Sequence, residues 1–512
     1  MWGRLVALAV IAAAWAAPAA AQDGRWWRAE SANFIVYGDR DERQVRNAAQ
    51  ALEDFDATLR ILTNASAAAA ETKLEVYLVR GVGGLRQVWP QVSEDVGGFY
   101  VSGSEQIAAF VRYDDRVGLA GNTVLFHEYA HHFMLHYFPN AYPRWYVEGW
   151  AEYVSTVQVR QRRAEVGRPS AHRSQWILHG GAIPIENLLA PERMRRQSGT
   201  FTGQFYAHAW FAALYLANNS ERQAGLQHYV RALGAGADPL EAFEPAFGIT
   251  PEAFERELRA FKRARISVLS VTLPTALAPM EVTRLPRAGD DLLLPLARLR
   301  ATSMPETERS RADIERAAAR YPGHPLAQIA LARLALEGED YAAARTHVDA
   351  ILAADETNAE ARYLLAQLIL RDAYDGGGDA YDAVLEARRQ LARGFRNDPN
   401  HYPTLYLYAS TFAGGPGRME EAPLNVLARA VELAPQADNI RLLLARELIK
   451  AEEYGGAVVT LRPLIYAPHG GPDAARARVL FAAAQAREQP STQAEADAVA
   501  AAAQEGQGED ED

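Results

Sequence analysis

VLFHEYAHHFMLHYF (residues 124–138), followed by RWYVEGWAEYV (144–154), is the stretch on which the reading of this chain turns. His127 and His131 are four residues apart, so on a helix both imidazoles leave one face. That spacing lets two ring nitrogens reach one zinc ion at about 2.0–2.1 Å. Glu128, next to the first histidine, can take a proton from water as that water attacks a carbonyl. Leu125, Phe126 and Phe133 frame the motif with apolar side chains. A zinc site of this kind needs a third protein ligand and keeps one position for water. Glu148 and Glu152 are again four apart, and a helical hairpin turned at Pro139–Pro143 brings their face back onto the histidine pair. Both carboxylates sit among Trp145, Tyr146, Val147, Trp150 and Tyr153, where unpaired charge is costly; a metal or an imidazolium resolves that cost.

The segment 127–153 resembles the gluzincin metallopeptidases, whose third ligand is a Glu on the next helix in an N-E-G-x-x-x-[YF] setting. Sixteen residues separate His131 from Glu148, close to the usual interval. The resemblance implies His127, His131 and Glu148 as ligands of one Zn2+ per chain. It implies Glu128 as general base and Glu152 as the acid that orients a ligand histidine. Gly149 matches the small residue after the ligand; Val147 stands where many relatives have Asn. Downstream, Tyr206-Ala207-His208-Ala209-Trp210 fits a Y-x-x-[SA]-W setting that recurs in exported proteins of this kind. Tyr206 is therefore the expected donor to the developing oxyanion, with His208 as the other candidate and a buried core aromatic as the plain alternative. His132 and His136 share the ligand face less well and read as packing residues. The upstream G-x-M-E-N segment of aminopeptidases is missing: VGGFYVSGSEQIAAF has only Glu105 as an acid, which argues against simple aminopeptidase activity. The nearest overall resemblance, over about 30–265, is to bacterial peptidase-MA-like proteins, an α+β zincin-like domain often followed by helical repeats.

Outward from this centre, residues 31–113 read as mixed α/β: a strand in SANFIVYG, a helix from Glu42 to Leu62, and strands in KLEVYLVR, VGGFYV and QIAAFVRY. QIAAFVRY is the expected edge strand for an extended peptide. Helices follow from an Asn122 or Thr123 cap, through RWYVEGWAEYVSTVQV and QFYAHAWFAALYLANN, to about 265. The Pro-punctuated stretch 266–304 reads as a connector with a strand or two. Beyond it, turn signals at Pro322, Glu356, Pro399, Pro435 and Pro468 are spaced by 34, 43, 36 and 33 residues. A period near 34 with paired helices resembles tetratricopeptide repeats over 305–487, an all-α solenoid. Residues 488–512 are expected to be a disordered acidic tail.

Of the 512 residues, 53 are Lys or Arg and 64 Asp or Glu, a net charge of −11, which argues against nucleic-acid or anionic-membrane partners. With no cysteine, disulfides, iron–sulfur clusters and thiol catalysis are excluded. Residues 1–21 combine Arg4, an apolar run from Leu5 to Trp15 and Ala19-Ala20-Ala21, which resembles a secretory signal peptide with Gln22 as mature start. The expected compartment is the periplasm, and no mature segment reads as a membrane span. Three functions stay open: a zinc peptidase whose repeats bind a substrate or protein partner, a weakly active zincin domain on a repeat scaffold, or, as a minor option, zinc-dependent hydrolysis of a non-peptide amide or ester.

Overall fold

The computed structural model describes residues 23–507 except 67, 95, 114–118, 192–198, 302–306, 377–379, 416 and 468–470. The expected signal segment (residues 1–21), the expected mature start Gln22, Pro468 and residues 508–512 therefore lie outside the described residues.

The strands are β1 (Asp23–Glu30), β2 (Phe34–Gly38), β3 (Leu74–Arg80), β4 (Gly98–Ser102), β5 (Ile107–Tyr113), β6 (Gln158–Arg160), β7 (Arg163–Val166), β8 (Leu269–Thr272) and β9 (Glu281–Pro286). Six form one sheet in the order β4-β5-β3-β2-β1-β9, and β6-β7-β8 form a second. β2, β3 and β5 run parallel, and the flanking pairs are antiparallel. Both faces of β3 are apolar in alternation: Leu74, Val76 and Leu78 point to one core, Tyr77 and Val79 to another.

Helices α1 (Glu42–Thr63), α2 (Gly81–Arg86), α3 (Leu119–Tyr137), α4 (Arg144–Ser155), α5 (Ala171–His179), α6 (Ile185–Leu189), α7 (Gly199–Ala217), α8 (Ser220–Gly234), α9 (Phe243–Phe247), α10 (Pro251–Phe261) and α11 (Arg287–Ala301) complete this part. α1 and α3 cover one face of the large sheet, and α2 and α11 cover the other. α12 (Glu308–Ala318) precedes the pairs α13 (Pro325–Glu337) with α14 (Tyr341–Ala354), α15 (Ala359–Gly376) with α16 (Ala380–Asn397), α17 (Tyr402–Ser410) with α18 (Glu421–Leu433), α19 (Asp438–Lys450) with α20 (Tyr454–Ile465), and α21 (Gly471–Ala486) with α22 (Thr492–Gln507). Pro322 falls between α12 and the first pair, and Glu356, Pro399 and Pro435 fall between successive pairs, as their spacing predicts. Within pairs, Glu339 and Glu452 take the left-handed conformation (φ 59° and 64°), each two residues before the tyrosine that opens the next helix. The same turn thus recurs 113 residues on.

Five expectations need correction. α3 begins at Leu119, so Asn122 and Thr123 lie inside it and do not cap it. α4 stops at Ser155, and the remaining residues enter a hairpin; its turn residues Gln161 and Arg162 both have positive φ (49° and 60°), which suits a two-residue primed turn without the usual Asn-Gly signal. The stretch 266–304 holds the two strands expected of it, β8 in the small sheet and β9 beside β1 at the edge of the large one, but it also contains α11, which packs beneath that sheet, so it is part of the fold and not a mere connector. QIAAFVRY is interior, between β3 and β4, so the edge belongs to β4. Residues 492–507 form a helix against α21, held by Glu495, which accepts from Arg446 and lies 3.9 Å from Arg476.

The repeats lie against the first part of the chain. Arg333, Tyr363 and Gln367 bond Glu105 in the β4–β5 turn, and Tyr402 donates to the Gly103 carbonyl at 3.1 Å. At the other end Arg462 and Gln485 donate to the carbonyls of Gly234 and Ala235 (2.9 and 2.6 Å). Side chains of both parts share one continuous core.

Candidate functional site

α3 and α4 form the hairpin foreseen at Pro139–Pro143, and α7 packs against the far side of α4. The rotation of α3 is set by Tyr129. Its ring packs edge-on to Phe34 and Phe55, and its hydroxyl donates to Asp56 at 2.6 Å, which also pairs with Arg60 at 2.6 Å. With Tyr129 turned to the sheet, His127 and His131 face α4. The separation of α4 and α7 is set by Gly149. A Cβ there would stand 2.2 Å from the Ala209 carbonyl oxygen and 2.6 Å from its carbon. Glycine on one helix, with Ala209 and Ala213 on the other, permits this approach.

Three donor atoms converge in consequence. The Nε2 atoms of His127 and His131 are 3.1 Å apart, and Glu148 Oε2 lies 3.4 Å from each. Four ligands around a zinc ion at about 2.0–2.1 Å would be about 3.3–3.4 Å from one another. Two imidazoles and one carboxylate at these separations therefore fit such an ion, and the donor types suit zinc. Glu148 is fully buried. Burial acts to raise its carboxyl, but the charge of His131 and hydrogen bonds from both imidazoles outweigh it and hold it well below the usual range. Burial likewise pulls the His127 imidazole down, yet the Glu148 hydrogen bond and the charges of Glu152, Glu148 and Glu128 hold it up at about 9. The field at this point favours positive charge.

Glu152 Oε1 is 3.6 Å from His127 Nδ1 and accepts from Arg173 at 2.5 Å. Arg173, on α5, also stacks over the Tyr206 ring, 5.2 Å from its centroid. No spacing in the sequence points to this arginine. The Tyr206 ring centre is 6.5 Å from that of His127. Burial, with the charge of Glu148, keeps the Tyr206 phenol above its ordinary range, so it stays an O–H donor. His208 bonds the Gln204 carbonyl at 2.8 Å and does not line the cavity beside the triad. His132 is buried, with Nδ1 3.0 Å from the Tyr100 hydroxyl and 3.2 Å from the Gln436 amide. His136 stacks on His132, so both are packing residues.

The triad opens into a cavity of about 550 Å³. Glu128 lines it and makes no hydrogen bond or ion pair among the described residues. Trp89, Phe99 and Tyr100 line it, together with Pro435, Gln436, Asp438, Leu464 and Tyr466 of the repeats. The contribution of the repeats to this cavity has no signal in local sequence pattern.

Residues 307–368 match the tetratricopeptide repeat family. Among solved structures, a thermophilic TPR protein of Thermus thermophilus is 19% identical over 38% of this chain and 98% of its own, with a TM-score of 0.29. No curated protein matches the chain. Among the described residues no helix is long and apolar enough to cross a membrane.

Proposed function

We propose that the chain is an exported zinc-dependent peptidase of the gluzincin type, with a zincin-like α+β catalytic part and repeats that bind a protein substrate or partner. The observation that carries this reading is the triangle of His127, His131 and Glu148 donor atoms at 3.1–3.4 Å, opening into a cavity that Glu128 lines. A zinc ion held by these three residues would supply an acidified water and a polarised carbonyl. Glu128 takes the proton of the attacking water and delivers it to the leaving amine. Tyr206 donates its phenolic hydrogen to the carbonyl oxygen as charge develops there. Glu152, itself held by Arg173, keeps the His127 ring in place.

The second reading, a protein-binding scaffold with a weakly active zincin part, draws on the tetratricopeptide match at 307–368. One experiment separates them. The purified chain is analysed for metal and incubated with unfolded and cell-envelope proteins, beside His131→Ala and Glu128→Gln. The peptidase reading expects about one zinc per chain, lost in His131→Ala, and cleavage lost in Glu128→Gln with the metal retained. Turnover that survives Glu128→Gln sinks it; bound partners without Glu128-dependent cleavage favour the scaffold.

A further inference from the structure

The cavity at the triad is lined from two parts of the chain. The first part brings the aromatic residues Trp89, Phe99 and Tyr100. The repeats bring Pro435, Gln436, Asp438, Pro463, Leu464, Tyr466 and Ala467, among which Asp438 is the single ionisable carboxyl. Gln436 is engaged with His132. Asp438 also lines a second, polar cavity of about 580 Å³ beside Glu105 and Arg333. Ser102 and Asp438 are common to both cavities, so the two spaces meet at this pair.

Asp438 is the first residue of α19, but it does not cap that helix: the cap is Ala437, without a side-chain bond. Among the described residues Asp438 makes no hydrogen bond or ion pair. Its charged neighbours are committed elsewhere. Asp473 pairs with Arg476 at 3.0 Å, and Arg441 donates to the carbonyls of Pro435 and Thr460. Burial, then the like charge of Asp473, push the Asp438 carboxyl up to about 7, offset only in part by Arg441. A carboxyl so placed is stabilised by a cation that arrives with the ligand.

We propose that Asp438 forms a cation-selective subsite: a peptide bound across the triad sets a lysine or arginine side chain at the Ser102–Asp438 junction. The repeats thereby supply the determinant of substrate choice. This rests on the peptidase reading for the nature of the ligand, while the subsite itself is tested by binding.

The test uses the full chain carrying Glu128→Gln, with and without zinc. Fluorescein-labelled dodecapeptides share one sequence, with a single lysine or norleucine walked through every position, and anisotropy reports affinity. At one position lysine should bind about tenfold or more tightly than norleucine, a preference that falls to about twofold or less with Asp438→Asn and persists with Asp438→Glu. A preference unchanged by Asp438→Asn, no positional preference, or no binding at millimolar peptide overturns the proposal. Circular dichroism establishes that the variants fold. Asp438-dependent lysine binding without Glu128-dependent cleavage by the unaltered chain keeps the subsite and removes the peptidase reading. Glu128-dependent cleavage without that preference does the reverse.

Discussion

Gly149→Ala tests whether the contact between α4 and α7 holds together the triangle of donor atoms proposed to bind zinc. The new Cβ would meet the Ala209 carbonyl oxygen at 2.2 Å, whereas ordinary contact begins at 3.4 Å, so the helices must part by 3.4 − 2.2 = 1.2 Å along that line. The obstacle is backbone inside a helix, so no rotamer change relieves it. Overpacking of this kind costs about 2 kcal/mol, which for a cooperative unit of this size lowers Tm by about 2–4 °C. The more telling effect is on the neighbouring residue. Glu148 moves with α4, and its Oε2 stands 3.4 Å from both imidazoles. Zinc sites tolerate errors of only about 0.2 Å in ligand distance, so zinc affinity should fall about tenfold or more. Competition against a chromogenic chelator measures the affinity, and thermal unfolding with and without zinc measures the stability. The zinc-induced rise in Tm should shrink together with the affinity. A Gly149→Ala chain that melts like the unaltered one and binds zinc equally well would refute the reasoning, because the interhelix distance would then not control the triad.

On the proposed peptidase reading, Tyr206→Phe keeps the ring beneath Arg173 but removes the proposed donor, so kcat should fall about 10²-fold with zinc content unchanged, read from steady-state kinetics and elemental analysis. Arg333→Met removes a nearly buried cation that serves both Glu105 and Glu360; unfolding in urea should show a loss of about 3–5 kcal/mol, and an unchanged midpoint would mean that these ion pairs do not contribute to holding the repeats in place. The raised Asp438 carboxyl has a definite pH signature. A folded value of about 7 above an ordinary value of 3.8 means that its contribution to stability is complete below about pH 4 and is lost as pH rises through 7. The stability difference between the unaltered chain and Asp438→Asn should therefore move against the unaltered chain across that window, and a difference independent of pH would contradict it.

The helix pair that carries the candidate site was legible because its signals are local. A four-residue spacing of His127 and His131, the Pro139–Pro143 break and the Glu148/Glu152 stripe each depend on helical periodicity alone. The repeat turns were legible for the same reason, recurring at a near-constant interval. What local pattern misread has specific causes. Gln161 and Arg162 carry no turn signature, so a helix was expected to run on through β6. Pro274, Pro279 and Pro286 read as linker, although the first two fall between β8 and β9 and Pro286 is the last residue of β9, at the sheet edge where a proline is tolerated. The acids near the C-terminus suggested disorder, but Glu495 is paired with two arginines.

Sequence alone determined the α3–α4 hairpin, the repeat turns and the donor types they carry, because helical period, turn spacing and ligand type are properties of neighbours along the chain. Only the tertiary structure decided which atoms meet: the 3.1–3.4 Å triangle, Arg173 between Glu152 and Tyr206, and the lining that Gln436 and Asp438 bring to the cleft from some 300 residues away. Those contacts arise from packing between distant segments, through backbone approaches such as Gly149 on Ala209 and a core shared by both parts of the chain, and no local periodicity encodes them.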